Sequence, residues 1–171
     1  MAELLAGCGN KREKLITFDE IPDAWSNDFV RLDYDEACNP DVLHDLNITP
    51  YPFDDNRFDE VHIYECLEHL GTQGDFRAFF EQMGEFWRIL KPDGWLIGTC
   101  PNWDSVWAWG DPGHRRVITP QTFTFLSQAE YTKQVGKTAM ADYRFCWDCD
   151  FELYTFQESE ENFAFVLRAI K

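Results

Sequence analysis

The first residues of this chain that can do chemistry are two glycines that follow a short apolar run. Gly7-Cys8-Gly9 comes directly after Glu3–Ala6, which is predicted to be a strand. Glycines after a strand let the chain turn sharply and bring backbone amides close to a ligand. A dinucleotide-binding fingerprint would need a third glycine where this chain has Arg12. The turn therefore predicts a ligand held by backbone amides and argues against NAD.

Two carboxylates end the next two predicted strands. Asp33 follows the strand expected at Phe29–Leu32. An acid at this place accepts hydrogen bonds from both ribose hydroxyls of an adenosine ligand. Asp45 follows the short strand expected at Asp41–Leu43 and can accept from the amino group of adenine. A turn or helix-cap role fits Asp45 nearly as well.

Alternating strands and helices must position these residues. Short apolar runs alternate with longer segments along the chain, which predicts βα units and a mainly parallel sheet. The expected strands cover Glu3–Ala6, Phe29–Leu32, Asp41–Leu43, Glu60–Tyr64 and Trp95–Thr99. Before the last of them, Asp75–Leu90 has apolar residues at spacings of three and four. That spacing predicts an amphipathic helix.

The remaining segments are less regular. Lys11–Asp28 contains a proline and has no clean apolar stripe, so we expect a short or irregular crossover helix there. Thr119-Pro120 predicts the start of a further helix, with threonine as the N-cap and proline at the first helical position. Tyr143–Tyr154 and Phe163–Ile170 flank the polar turn Gln157–Asn162. They predict an antiparallel strand pair at one edge of the sheet.

Composition indicates a globular protein, and its charge argues against nucleic acid as a binding partner. The chain has 171 residues, 44% of them hydrophobic, and we expect a single domain over residues 1–171. The formal net charge of −16 repels phosphate backbones, so nucleic acid is disfavoured as a partner. There is no apolar run long enough to cross a membrane. Six cysteines without a secretory signal are expected to be reduced thiols in the cytoplasm.

One pair of cysteines has the spacing of metal ligands. Cys146 and Cys149 are separated by two residues, as in many zinc sites. A structural zinc site needs about four ligands, and the sequence offers neither a second such pair nor a paired histidine. We therefore expect ordinary thiols on a strand and no requirement for zinc or magnesium.

The middle of the chain carries an ordered set of motifs. They are Pro52–Val61, Tyr64–Leu70, Trp87–Gly94 and Cys100–Asn102. This order resembles the class I S-adenosyl-L-methionine-dependent methyltransferases, in the branch with a PF-D-FD-V, LEH, R-LKP-G and PN pattern. The resemblance covers nearly the whole chain and is closest from Asn39 to Asn102. Together with the strand pattern it implies an α/β, Rossmann-like, doubly wound sheet that is mainly parallel and ends in an antiparallel strand pair.

The resemblance also implies a cofactor and the residues that hold it. S-adenosyl-L-methionine would donate the methyl group and leave as S-adenosyl-L-homocysteine. The glycine loop would wrap the methionine part, and Asp33 would bind the ribose. The expected cofactor residues are Ala6, Gly7, Cys8, Gly9, Asp33, Tyr34, Asp45, Leu46, Tyr64 and Glu65. The triplet Leu67-Glu68-His69 is usually scaffold in this family, so His69 is not expected to be catalytic.

The segment after the fifth strand is the candidate for the acceptor side. Family members usually carry helices before the first strand, often as a lid. The sequence has only a few residues before the glycine loop, so we expect these N-terminal helices to be missing. Cover for the pocket must then come from the tryptophan-rich segment 103–116 or from a second copy of the chain, as in a homo-oligomer. The expected substrate residues are Trp103, Trp107, Trp109, His114 and Arg115. Packing of the loop explains the tryptophans equally well.

These features together predict methyl transfer to a small-molecule acceptor. A sulfonium donor is already activated, so alignment of the acceptor can accelerate the reaction without a general base. Where the acceptor must lose a proton, His114 or Glu65 would take it. The first alternative is a module or regulatory subunit that binds the cofactor or its product with little catalysis. The second is a nucleotide-dependent oxidoreductase, which Arg12 argues against.

Overall fold

Seven strands form one sheet in the computed structural model, which describes residues 1–18 and 21–171. The strands are β1 (Ala2–Ala6), β2 (Asp28–Asp33), β3 (Val42–Leu43), β4 (Phe58–Tyr64), β5 (Leu90–Pro101), β6 (Asp150–Glu158) and β7 (Asn162–Ile170). The α-helices of the described residues are α1 (Phe76–Ile89), α2 (Val106–Gly110) and α3 (Gln128–Gln134). No helix in the described ranges has both the length and the apolar character that crossing a membrane requires.

The order of strands across the sheet is β3-β2-β1-β4-β5-β7-β6. Neighbours from β3 to β5 pair in parallel, whereas β7 is antiparallel to both β5 and β6. The predicted α/β, Rossmann-like sheet with its antiparallel C-terminal pair is therefore confirmed. From the central pair β1 and β4 the chain continues outward in opposite directions. The carboxyl ends of these two strands thus flank the crevice in which such sheets bind ligands.

Helix α1 covers one face of the sheet and builds the main core. The Asp75 carboxylate caps it by accepting a hydrogen bond from the Ala78 amide at 3.1 Å. Its buried residues are Phe80, Gln82, Met83, Phe86 and Ile89. All but the glutamine belong to one cluster with apolar residues of β1, β4 and β5. The helix predicted at Asp75–Leu90 is confirmed, except that Leu90 already begins β5.

The described residues of the segment between β1 and β2 cover the opposite face and form neither a helix nor a strand of the sheet. No helix forms in its described part, residues 11–18 and 21–27, so the crossover helix expected at Lys11–Asp28 is not present there. The segment has no apolar stripe with which a helix could pack against the sheet. Single side chains cover the face instead, including Trp25, whose ring stacks on Phe29 at a centroid distance of 4.1 Å.

Charged side chains lie buried beneath this irregular segment. The Lys14 ammonium is 2.7 Å from a carboxylate oxygen of Glu3 on β1 and 2.7 Å from one of Glu60 on β4. His62 extends the group, with its Nε2 atom 2.9 Å from Glu60 and its Nδ1 atom 2.6 Å from the Tyr64 hydroxyl. This face of the sheet is therefore stabilised by ion pairs and hydrogen bonds as well as by apolar packing.

The first strand of the C-terminal pair is shorter than predicted. β6 begins at Asp150, whereas the prediction placed a strand from Tyr143. Trp147 explains the difference: its ring is buried, and its indole nitrogen donates to the Leu126 carbonyl at 3.1 Å. The residues before β6 are thereby held in a turn. The helix start at Thr119 is confirmed, although the helix that follows it is of the 3₁₀ type.

Candidate functional site

A cavity of about 540 Å³ opens at the carboxyl ends of β1, β2 and β4. Its walls are the glycine turn after β1, the acidic residues after β2 and the residues that follow β4. The expected cofactor residues that line it are Gly7, Cys8, Gly9, Asp33, Tyr34, Asp45, Leu46, Tyr64 and Glu65. Ala6 lies fully buried at the end of β1. The fold thus brings these residues together in one crevice.

Backbone conformation explains the two glycines of the turn. Gly7 and Gly9 have φ angles of +62° and +48°, in the left-handed region that side chains disfavour. A Cβ atom on Gly7 would also collide with the Cys66 sulfur, whereas a Cβ on Gly9 would meet nothing within 4 Å among the described residues. Position 7 therefore requires glycine for two independent reasons.

The Asp33 carboxylate holds this turn in place and also faces the cavity. One of its oxygens accepts a hydrogen bond from the Gly9 amide at 2.7 Å, and the other accepts from the Asp35 amide at 2.9 Å. The residue is only 6% exposed, yet it lines the cavity. Each carboxylate oxygen has a second lone pair, so Asp33 can still accept hydrogen bonds from a ligand.

The residues expected around adenine form the outer wall of the cavity. Tyr34 is 75% exposed, so its ring is free to move against a ligand. Asp45 accepts hydrogen bonds from the backbone amide and the side-chain amide of Asn47, at 2.8 and 2.9 Å. This is the turn role that the sequence also allowed. Leu46 is buried behind them.

Strand β4 ends at a tyrosine whose side chain and backbone have different partners. The Tyr64 hydroxyl accepts a hydrogen bond from the Leu15 amide at 3.2 Å and contacts His62, and burial raises the pKa of this phenol to about 12. The Tyr64 carbonyl accepts a hydrogen bond from the Lys11 ammonium at 3.0 Å. The end of β4 therefore places a positive charge at the cavity.

Glu65 follows with a strained backbone. Its φ angle is +48°, which is costly for a residue with a side chain and persists only where the surroundings impose it. The Glu65 amide donates to the Thr99 carbonyl at 3.0 Å, which holds this conformation. Its Oε1 atom is buried and has no hydrogen-bond partner within residues 1–18 and 21–171. Glu65 thus presents an unsatisfied acceptor where strand and cavity meet.

Three further side chains converge beside the cavity. Glu68 is only 2% exposed, and burial raises the pKa of its carboxyl to about 8. The His114 Nε2 atom lies 3.9 Å from Glu68 Oε1. The rings of His69 and His114 pack edge to face with centroids 4.6 Å apart, and His69 lines the cavity. A buried acid and two imidazoles therefore meet at the edge of the crevice.

Residues 6–98 match the protein family described as methyltransferase domain. The matched range is more than half of the chain and contains every expected cofactor residue. The chain belongs to this methyltransferase family. No curated protein matches it.

Solved structures share the fold of this methyltransferase domain at low sequence identity. A SAM dependent methyltransferase from Archaeoglobus fulgidus aligns with a TM-score of 0.58 and 17% identity over 98% of this chain and 86% of that one. A putative type 11 methyltransferase from Sulfolobus solfataricus aligns at 0.55 and 16% over 99% and 84%. The [4+2]-cyclase SpnF aligns at 0.58 and 13% over 99% and 74%. These likenesses show the fold alone.

The tryptophan-rich segment 103–116 lies beyond the matched range. Trp103, Trp107 and Trp109 are 61%, 56% and 72% exposed, and none is among the described residues that line the cavity. Arg115 is exposed as well. The segment reaches the cavity through Gly113. Its tryptophan rings therefore neither pack in the core nor line the cavity in this conformation.

Three residues in or beside the cavity, Lys11, Glu68 and His69, were not predicted as site residues. Lys11 lies in the segment without a regular pattern, where nothing in the sequence indicates which side chain turns toward the sheet end. Glu68 belongs to a triplet that was assigned to the scaffold. The signal for Glu68 is an acid directly followed by a histidine, just after a strand end at the ligand-binding edge.

A second, smaller cavity lies apart from these residues. It has a volume of about 300 Å³. Its lining includes aromatic residues of α1, Phe125 of the 3₁₀ helix Pro120–Leu126, Tyr143 and Arg116. None of the expected cofactor or substrate residues lines it. The larger cavity is therefore the candidate active site of the methyltransferase domain.

Proposed function

We propose that this protein transfers a methyl group from S-adenosyl-L-methionine to a small-molecule acceptor. The observation that carries the proposal is Asp33, a buried carboxylate at the end of β2 that also lines the cavity and binds the glycine turn after β1. This arrangement suits the ribose of an adenosine-containing ligand. The match to a methyltransferase family supports the class of reaction.

The residues of the cavity fit this cofactor at three points. Asp33 offers free lone pairs to the ribose hydroxyls. Lys11 is the sole lysine or arginine among the described residues that line the cavity, and it suits the carboxylate of the amino-acid part. The buried Oε1 atom of Glu65, which has no partner among the described side chains and backbone, suits the ammonium group of that part.

When bound, the cofactor supplies a methyl group that is already activated on a sulfonium. The remaining task of the chain is to hold the two reactants in line and to exclude water. The glycine turn and Asp33 would fix the cofactor on the rigid ends of β1 and β2. An acceptor that must lose a proton would give it to Glu65 or His114, the two candidate bases beside the cavity.

We further propose that the segment 103–116 closes the cavity over the acceptor, alone or against a second copy of the chain. Trp103, Val106, Trp107 and Trp109 are all exposed, and clustered exposed apolar residues mark interaction surfaces. The cavity volume is that of a small-molecule site. The net charge of −16 disfavours a nucleic-acid acceptor.

The alternative is a module that binds the cofactor or its product without methylating anything. The exposed tryptophans favour it, because an open cavity shields a reaction poorly from water. A neighbour with the same fold, SpnF, is named for a cyclisation.

Calorimetry with S-adenosyl-L-methionine, S-adenosyl-L-homocysteine and NAD tests the cofactor. We expect the first two to bind and NAD not to bind. Incubation with pools of small acceptors, followed by measurement of S-adenosyl-L-homocysteine, tests the reaction. Cofactor binding without turnover in any pool would favour the binding module. If neither S-adenosyl-L-methionine nor S-adenosyl-L-homocysteine binds, both the methyltransferase proposal and the binding-module alternative are contradicted.

A further inference from the structure

Glu68, His69 and His114 form a group of metal-ligand type beside the cavity. One ligand atom from each, a carboxylate oxygen or a ring nitrogen, lies within 4.8 Å of the other two. Ligands that share one transition-metal ion at about 2.0–2.2 Å lie at most about 4.4 Å apart. Small side-chain rotations would therefore bring the three atoms into a common coordination sphere.

The group contains buried polar atoms that lack partners. Glu68 is only 2% exposed, and both of its carboxylate oxygens are buried without an N–H or O–H donor among the described residues; the Cys100 thiol beside them is a weak donor. The His114 Nδ1 atom is also buried without a hydrogen-bond partner among the described residues. Burying such atoms without a partner is unfavourable, so their position calls for a ligand that satisfies them. The 3.9 Å between His114 and Glu68 is too long for a hydrogen bond, so their mutual contact does not satisfy them.

The surroundings of the group resemble those of metal-binding histidines. The His69 Nδ1 atom lies 3.0 Å from the Gly113 carbonyl oxygen. A histidine that binds a metal through one ring nitrogen usually donates the other to a carbonyl or carboxylate, which fixes the ring. The Glu68 carbonyl accepts hydrogen bonds from the backbone amides of Arg115 and Arg116 at 2.8 and 3.1 Å. These bonds connect the Glu68–His69 pair to the segment that carries His114.

We propose that Glu68, His69 and His114 bind one divalent first-row transition-metal ion. Two imidazoles and one carboxylate suit Mn²⁺, Co²⁺, Fe²⁺ or Zn²⁺ better than Mg²⁺, which prefers oxygen ligands. Three protein ligands leave coordination positions open, as catalytic metal sites do. The proposal departs from the expectation of no metal, which was based on Cys146 and Cys149.

The ion gives the proposed methyl transfer a definite class of acceptor, and this part of the inference rests on the proposed function. His69 lines the cavity, so an acceptor hydroxyl there can occupy an open position on the ion. The ion would lower the pKa of that hydroxyl, and its proton would pass to solvent, so His114 would act as a ligand and not as the base in that case. The oxygen then forms a C–O bond to the methyl group as the C–S bond breaks, and the electron pair of that bond stays on sulfur.

Titration of the chelator-treated full chain with Co²⁺, without cofactor, tests the site. We expect one equivalent to bind and to give visible d–d bands without a thiolate-to-cobalt charge-transfer band. E68Q and H114N should each weaken Co²⁺ binding by more than about 10-fold. H69N is a third variant, and it should disturb folding little because the His69 side chain is only half-buried. Circular dichroism checks that each variant is folded.

Two controls assign the signal. The double variant C146S/C149S removes the cysteine pair, and H44N removes another histidine that lines the cavity. Both should bind Co²⁺ as the wild type does. Loss of binding in C146S/C149S, no binding by the wild type, or equal binding by wild type, E68Q and H114N would each overturn the proposal. Calorimetry with S-adenosyl-L-homocysteine on metal-free protein tests the cofactor separately, so either proposal can fail alone.

Discussion

The Asp33 carboxylate has a structural role and a proposed binding role, and the two are physically linked. Its two oxygens hold the amides of Gly9 and Asp35, so the acid that would bind ribose also fixes the turn that would wrap the rest of the ligand. A ligand hydrogen bond to Asp33 therefore meets a group that is already in place. Such preorganisation reduces the entropy lost on binding.

Replacement of Asp33 by alanine is expected to weaken cofactor binding. Loss of charged hydrogen bonds to the ribose should reduce the affinity for S-adenosyl-L-homocysteine by about 1.5–3 kcal/mol, or roughly 10- to 150-fold in Kd. Calorimetry measures the affinity, and urea unfolding reports any loosening of the turn. E36Q, an exposed acid in the next turn, is the matched control and should bind normally. Unchanged affinity in D33A would remove Asp33 from the site.

The two glycines of the turn should respond differently to alanine. G9A meets free space and should lower the free energy of unfolding by about 1–2 kcal/mol, the cost of a left-handed side chain. G7A carries the same cost and adds a collision with the Cys66 sulfur, so it should destabilise more. Urea unfolding of both variants measures the difference, and C66A should recover part of it in G7A. Equal destabilisation by G7A and G9A would refute the collision.

At the scale of elements, periodic segments were predictable and irregular ones were not. Helix α1 follows from apolar residues at spacings of three and four, because one face of it meets a sheet. The alternation around Trp147 also looks like a strand, yet the ring is buried and its nitrogen reaches the Leu126 carbonyl, so the backbone turns. Local spacing carries no information about such a long-range partner.

The candidate site also contains residues that could be predicted from the sequence and residues that could not. Gly7, Asp33 and Glu65 could be predicted because each lies at the end of a strand, and parallel strands end at one edge of the sheet. The meeting of Glu68 with His114 could not, because it depends on how the irregular segment after β5 returns to β4. Backbone hydrogen bonds from Arg115 and Arg116 to Glu68 determine that return, and no motif signals them.

The tryptophans of helix α2 are exposed, so they can be replaced with little loss of stability. Their replacement therefore tests whether α2 contributes to acceptor binding. W107A and W109A remove rings that are 56% and 72% exposed, so stability should change by no more than about 0.5 kcal/mol. If α2 closes over the acceptor, turnover should fall while the Kd of the cofactor stays the same. W147A, which removes a buried ring, should instead cost about 3–5 kcal/mol of stability. Normal turnover in both α2 variants would place the acceptor elsewhere.

At the scale of the whole molecule, the two faces of the sheet depend on different forces. The α1 face buries mainly apolar side chains, with Gln82 and Arg116 hydrogen-bonded to each other among them. The opposite face buries Glu3, Glu60, Lys14 and His62 in contact with one another. Desolvation of buried charges is offset only while their partners keep the right protonation state. This face should therefore make its own contribution to the pH dependence of folding, separate from that of Glu68, whose pKa burial raises.

His62 should make the protein less stable as the pH falls below neutrality. Burial lowers the pKa of this imidazole below its ordinary value of about 6.5, despite the hydrogen bond to Glu60 and the nearby Glu3, with Lys14 acting in the same direction as burial. Below pH 6.5 the unfolded chain takes up a proton that the folded chain resists. The contribution is thus complete above pH 6.5 and is lost as the pH falls through the folded-state pKa, at no more than about 1.4 kcal/mol per pH unit.

Urea unfolding of the wild type and H62Q between pH 5 and 7 measures this contribution. Glutamine can hydrogen-bond to Glu60 and Tyr64 but does not titrate, so the free energy of unfolding of H62Q should vary less with pH than that of the wild type. E3Q is the matched control from the same cluster. Bonds from Lys14 and the Ser26 amide outweigh burial and lower the pKa of Glu3, so its contribution is lost at more acidic pH. Glu3 also raises the pKa of His62, so E3Q should show at least the wild-type slope between pH 5 and 7. Parallel curves for wild type and H62Q would show that His62 is not the group responsible.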